Sequence, residues 1–266
     1  MITMRSARKS NPARLGQHFL TNPNPARVLA QAAAPKIGEI ILEIGPGTGM
    51  LTRELLATGA EVIAIEKDPA LVVRLRKSNM SGNLRIVEAD VRDVTPQGLG
   101  LKNRNYVVAA NIPYYITGEI IRQFLTTDAP PRAMALLIQK EVADRILARD
   151  GKESILSISV KAYGIPKIIA KVSRGNFNPP PSVDSAILLV DEISKKTFVD
   201  IREDMFFKVV KAGFASKRKF LANNLSTLFP KETITHAFRE NELSAKVRAE
   251  DVSLLKWKML TKLLIR

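Results

Sequence analysis

Four groups of residues in this chain have the types and spacing for chemistry on a nucleotide-like ligand. Gly45-Pro46-Gly47-Thr48-Gly49 follows directly on the apolar run from Glu39 to Ile44, and a glycine turn at that place lets the backbone come close to a ligand. Glu66 lies 21 positions after Gly45 and ends the apolar run that begins at Glu61; a carboxylate there can accept hydrogen bonds from ribose hydroxyls. Asp90 follows the run from Leu84 to Ala89, and Asn111 follows the run from Asn105 to Ala110 and opens Asn111-Ile112-Pro113-Tyr114. In that last group the Asn111 carboxamide oxygen and the Ile112 carbonyl are two acceptors, Tyr114 offers a stacking face, and Pro113 stiffens the turn. Other chemistries lose their residues. There is no cysteine, which removes disulfides, thiolate metal sites and a cysteine nucleophile. With His18 and His236 the only histidines, a histidine metal cluster or a Ser-His-Asp triad is not expected, and no metal site is assigned. Met50 stands where a dinucleotide fingerprint needs its third glycine, which weakens a dehydrogenase reading.

The elements that must position these residues can be read from the apolar runs. Glu39 to Ile44, the glycine turn and a helical stretch to about Thr58 make a strand, turn and helix. Glu61 to Glu66 is a second strand, followed by a helix in which Asp68 caps and Pro69 takes the first turn. Leu84 to Ala89, Asn105 to Ala110 and Ala133 to Ile138 repeat the pattern, which predicts a parallel α/β sheet with its ligand beyond the carboxyl ends of the strands. Lys167 to Ser173 and Ser185 to Val190, separated by Asn178-Pro179-Pro180-Pro181, read as two late antiparallel strands that close a mostly parallel seven-stranded sheet. From about Ile193 the apolar spacing becomes helical, so the expected division is a catalytic domain over 1–195, with a basic N-terminal arm, and a small all-helical domain over 196–266.

Gly45-Pro46-Gly47-Thr48-Gly49, preceded by Glu43, resembles the first motif of class I methyltransferases, a Rossmann-like fold that binds S-adenosyl-L-methionine. Asn111-Ile112-Pro113-Tyr114 resembles the motif of methyltransferases that act on exocyclic amino groups of bases. The lone pair of such an amine is delocalised into the ring; two acceptors that bind its N–H groups can aim and partly localise it, so orientation supplies much of the catalysis. Over residues 15–266 the chain resembles the ribosomal RNA adenine dimethyltransferase family, in its small-subunit branch. The opening motif Gly16-Gln17-His18-Phe19-Leu20 implies cofactor contacts from His18 and Leu20. The same resemblance implies cofactor contacts at Gly45, Gly47, Glu66, Asp90 and Asn111, although Asp90 can also serve as a turn cap. Phe177, in Asn176-Phe177-Asn178-Pro179-Pro180-Pro181-Ser182-Val183-Asp184-Ser185, is implied to face the target base opposite Tyr114, making Asn111, Tyr114 and Phe177 the catalytic set; a core position is the alternative for the ring. Gly213-Phe214-Ala215-Ser216-Lys217-Arg218-Lys219-Phe220-Leu221-Ala222-Asn223-Asn224-Leu225 resembles the helical-domain motif of the small-subunit branch. Two positions depart from the family pattern: Ile112 replaces the commoner leucine, and Tyr115 stands where asparagine is frequent.

Charge points the same way. Of the net +15, residues 1–38 carry +6 with no acid and residues 205–266 carry +8, leaving 39–204 nearly neutral. Two basic ends on a near-neutral body attract polyanions, nucleic acid first among them. The residues before Gly16 read as a short basic arm rather than a transit peptide, and no apolar run approaches the ~18–20 residues of a membrane span. The resemblance implies dimethylation of two adjacent adenosines near the 3′ end of small-subunit (16S) ribosomal RNA, on an assembling ribosomal particle, by a cytoplasmic monomer. A large-subunit (23S) resistance methyltransferase, a nonenzymatic ribosome-assembly factor and a DNA adenine methyltransferase are the alternatives.

Overall fold

A computed structural model describes residues 18–78, 80 and 82–265; the basic arm, Gly16 and Gln17 lie outside the described residues. The chain runs β1 (Phe19–Leu20), α1 (Pro23–Ala33), β2 (Ile40–Ile44), α2 (Met50–Leu56), β3 (Glu61–Glu66), α3 (Pro69–Lys77), β4 (Leu84–Glu88), β5 (Tyr106–Asn111), α4 (Thr117–Thr126) and β6 (Ala133–Gln139). It continues through α5 (Lys140–Leu147), α6 (Ile155–Tyr163), β7 (Ile165–Val172), β8 (Phe177–Asn178), β9 (Ser185–Asp191), α7 (Glu203–Gly213), α8 (Leu221–Leu225), α9 (Lys231–Glu240) and α10 (Leu254–Leu264).

Seven strands form one sheet in the order β4-β3-β2-β5-β6-β9-β7. β4, β3, β2, β5 and β6 are parallel. The two late strands are antiparallel to each other, as expected, but only β9 opposes the sheet direction, because β9 sits between β6 and β7 and is antiparallel to both. Strands covered on both faces read as continuous apolar runs. Ile41, Val107 and Ala109 pack under Leu29, Leu51 and Leu55 of α1 and α2, while Leu42, Val108 and Ala110 face Ile120, Phe124 and Ile146 of α4 and α5.

Register brings the strand ends to one level. Ile44 pairs with both Ile65 and Ala110, and Glu66 pairs with Glu88. Gly45, Glu66, Asn111 and, two residues beyond β4, Asp90 therefore meet at the carboxyl edge, where the order reverses between β2 and β5. That edge is where an open α/β sheet binds its ligand.

The helices after Glu203 continue the same apolar core, through Phe206, Val210, Leu221 and the fully buried Trp257. Tyr163 of α6 stacks on Phe207 at 5.9 Å and donates its hydroxyl to Glu203 Oε1 at 2.6 Å, joining sheet and helices.

Candidate active site

A cavity of about 370 Å³ opens at the carboxyl edge of β2, β3 and β5, within the ordinary size of small-molecule sites. Its floor is the glycine turn. Gly47 has φ +57°, and a Cβ there would lie 3.0 Å from the Phe19 ring, so only glycine lets β1 close over the turn. Glu66 is buried; its Oε2 accepts the Gly47 N–H at 3.1 Å and its Oε1 the Asp68 N–H at 2.9 Å. One carboxylate therefore ties the turn to the loop after β3 and keeps lone pairs for a ligand.

Asp90 caps the short turn Val91–Asp93 through the Arg92 N–H at 3.0 Å, so the capping role is realised. The same carboxylate is paired with Arg92 at 2.6 Å and Lys67 at 2.7 Å, which hold it far below the usual carboxylate range. Neither cation stood out in the sequence; Arg92 two positions after an acid at a strand end was the available signal.

On the other side of the cavity Asn111 closes β5. Its Nδ2 donates to the His18 carbonyl at 3.0 Å, which assigns the amide orientation and leaves Oδ1 as the acceptor. Ile112 is buried and anchors the turn, in which Tyr114–Ile116 form a 3₁₀ segment. The half-buried Tyr114 shares a 2.7 Å hydrogen bond with Ser185 Oγ at the start of β9, and burial pushes its hydroxyl above the ordinary value. The His18 ring lies 5.5 Å from the Tyr114 ring, and its Nδ1 donates to the Pro179 carbonyl at 2.7 Å. A carbonyl can only accept, so Nδ1 carries a hydrogen.

Thus His18, Gly45, Gly47, Glu66, Asp90, Asn111 and Tyr114 all line one cavity. Leu20 and Phe177 do not. They pair across a two-residue antiparallel ladder, β1 on β8, and Phe177 is 4% exposed in the core beneath α1 and α2. The His18 ring lies beside that of Tyr114, and Phe177 pairs with Leu20 of β1. Ser185, the last residue of the quoted proline-rich motif, is the anchor that sequence reasoning passed over.

A cluster of basic residues lies among the helices. Lys217, Arg218 and Lys219 are exposed between α7 and α8. The buried Asn224 carboxamide bonds the carbonyls of Gly213 at 2.6 Å and Ser216 at 3.0 Å, which fixes this basic loop. Among the described residues no group of His, Asp and Glu could hold a metal ion, and no helix is long and apolar enough to cross a membrane.

Comparison with known proteins assigns the architecture. A protein from Dehalococcoides mccartyi named "Ribosomal RNA small subunit methyltransferase A" is 38% identical over 249 residues, 92% of this chain and 86% of its own length. A protein of the same name from Clostridioides difficile is 36% identical over 259 residues, covering 94% and 89%. A dimethyladenosine transferase structure from Plasmodium falciparum superposes with TM-score 0.79 at 27% identity, over 91% of this chain and 96% of that one. The 23S rRNA methyltransferase ErmE shares the fold, with TM-score 0.77 at 24% identity, over 93% of this chain and all of that one. The family model "Ribosomal RNA adenine dimethylase" matches residues 8–266, and with relatives of this identity across most of its length, the chain belongs to that family.

Proposed function

We propose that this protein uses S-adenosylmethionine to dimethylate the exocyclic amines of adenosines in small-subunit ribosomal RNA, two adjacent ones near the 3′ end. The observation that carries the reading is the commitment of the Asn111 amide nitrogen to the His18 carbonyl, which leaves its oxygen as an acceptor at the cavity beside Tyr114. In a member of an adenine dimethylase family, that is the group needed to receive one N–H of the target amine. The small-subunit substrate is favoured over the large-subunit one by the names of the relatives that match most of the chain.

The residues present suit the cofactor. Glu66 retains lone pairs for ribose hydroxyls, Gly45 and Gly47 admit close approach of the backbone, and Asp90 borders the adenine side. When bound, S-adenosylmethionine supplies a methyl group on a sulfonium. The Asn111 oxygen and the Ile112 carbonyl accept the two amine hydrogens and turn the nitrogen lone pair toward the reacting carbon, while Tyr114 stacks on the extruded base. Ser185 fixes the rotation of Tyr114, and Phe177 acts indirectly by holding β1. In each transfer the carbon–sulfur bond breaks as the carbon–nitrogen bond forms and the amine gives up one proton to solvent, so after the first transfer one N–H remains for one of these acceptors. Residues 196–266, with Lys217, Arg218 and Lys219, bind the RNA backbone of an assembling particle, and the protein acts as a cytoplasmic monomer.

The test is transfer of labelled methyl from S-adenosylmethionine to unmethylated small subunits, large subunits and DNA, with mass analysis of the nucleosides. Dimethyladenosine from small subunits alone is the expected product; product on large subunits or DNA overturns the substrate. Asn111→Ala should abolish transfer with RNA affinity nearly unchanged, and undiminished methylation by that variant overturns the mechanism.

A further inference from the structure

Tyr114 and Tyr115 are adjacent in the chain and opposite in surroundings. Tyr114 is half buried with its hydroxyl on Ser185, whereas Tyr115 is 69% exposed. The 3₁₀ turn explains the contrast: with three residues per turn, consecutive side chains leave the axis about 120° apart, so anchoring Tyr114 inward turns Tyr115 out. Tyr115 still lines the cavity, as do Lys67 and Arg92. Its hydroxyl bonds to no described residue, and its ring packs in neither apolar core. Buried Ile112 and Thr117 hold the two ends of the turn, so the fold does not require an aromatic ring at this position.

We propose that Tyr115 is a second stacking platform, which binds the base of the nucleotide next to the target adenosine in the RNA strand. The inference rests on the adenosine-methylating reading of the same cavity. A base extruded onto Tyr114 leaves its neighbour unstacked at the mouth, and an unstacked base seeks an aromatic face. Two consecutive tyrosines on one rigid turn offer two faces to two consecutive bases. Lys67 and Arg92, both partly exposed while paired with Asp90, supply positive charge for the phosphates of that strand. A tyrosine has few rotamers to lose and stacks on any base, so the platform sets the position of the strand without reading its sequence.

The experiment compares the native protein with Tyr115→Ala, Tyr115→Asn, Tyr115→Phe and Tyr115→Trp, on small subunits and on an RNA oligonucleotide carrying the target site. KM for RNA should rise about tenfold or more in the Ala and Asn variants, the loss falling on KM rather than kcat, with S-adenosylmethionine affinity by calorimetry unchanged. Phe and Trp should restore it. An abasic nucleotide beside the target should weaken the native protein to the level of Tyr115→Ala and leave that variant indifferent. A native KM in Tyr115→Ala, or equal sensitivity of both proteins to the abasic nucleotide, overturns the platform. If the native protein methylates no small-subunit substrate, the functional reading itself falls; activity of the native protein with an unaffected Ala variant removes the platform alone.

Discussion

Glu43 is the fourth residue of β2, fully buried, with neither carboxylate oxygen hydrogen-bonded among the described residues. Burial pushes its carboxyl from an ordinary value of 4.5 up to about 8, and the Glu66 carboxylate adds to the shift. The unfolded chain releases this proton near pH 4.5 and the folded chain keeps it to about pH 8, so folding takes up a proton in between. The titration thus adds nothing below pH 4.5, about 1.4 kcal/mol for each pH unit above it, and a constant amount above pH 8. Glu43→Gln removes the titration. Between pH 5 and pH 8 the stability of the variant relative to the native protein should therefore grow by about 3.5 kcal/mol, the curvature at each end taking off the rest of the three-unit span. The assay is urea unfolding of both proteins, free of ligand, at pH 5, 6.5 and 8. Asp90 and Asp144, held low by Arg92 and Lys140, titrate below this window and cancel in the difference. Parallel stability curves would refute the reasoning, because they would mean that the buried carboxyl ionises in the fold as it does in water.

A Cβ on Gly213 would lie 2.3 Å from Trp257 Cη2 and 2.7 Å from Leu221 Cδ1; Gly213→Ala should cost about 1–3 kcal/mol through overpacking, and an unchanged melting temperature would show that the indole has room to move. Tyr114→Phe and Ser185→Ala remove the same hydrogen bond. Each should slow single-turnover methyl transfer, and the double variant should be no slower than the worse single one; additive losses would separate the two residues. Replacing Lys217, Arg218 and Lys219 together by Gln should lower the slope of log affinity for single-stranded RNA against log salt by about two, whereas an unchanged slope would make them a solvated surface.

What could be read in the sequence and what could not divide along a physical line. Gly45, Glu66 and Asn111 were legible because each ends an apolar run, and parallel strands buried on both faces bring the ends of such runs to the ligand edge, whereas Asp90 follows the partly exposed edge strand β4 and was legible from its place in the repeated pattern. The pairing of Phe19 and Leu20 with Asn178 and Phe177 was not, since two-residue strands have no periodicity and the partners are far apart in the chain. That pairing sets Phe177 among the core residues, outside those that line the cavity. Ser185 escaped for a related reason: a serine at the start of an apolar strand is unremarkable until the tertiary fold sets it 2.7 Å from the Tyr114 hydroxyl. The reversed direction of β9 alone rests on the order of strands, which local spacing does not encode.

The place of β9 also sets a timetable for synthesis. Chains emerge from the amino end, and β7 has no neighbour in the sheet except β9, which follows it. Until Asp191 has been made, the edge of β6 stays open and β7 has nothing to join. The strands that carry Gly45, Glu66 and Asn111 are complete by then, but Ser185, which anchors Tyr114, is not yet in place. A nascent chain therefore completes the strands that bear Gly45, Glu66 and Asn111 before the strand that bears Ser185, and a product cut short of β9 lacks the hydroxyl that anchors Tyr114.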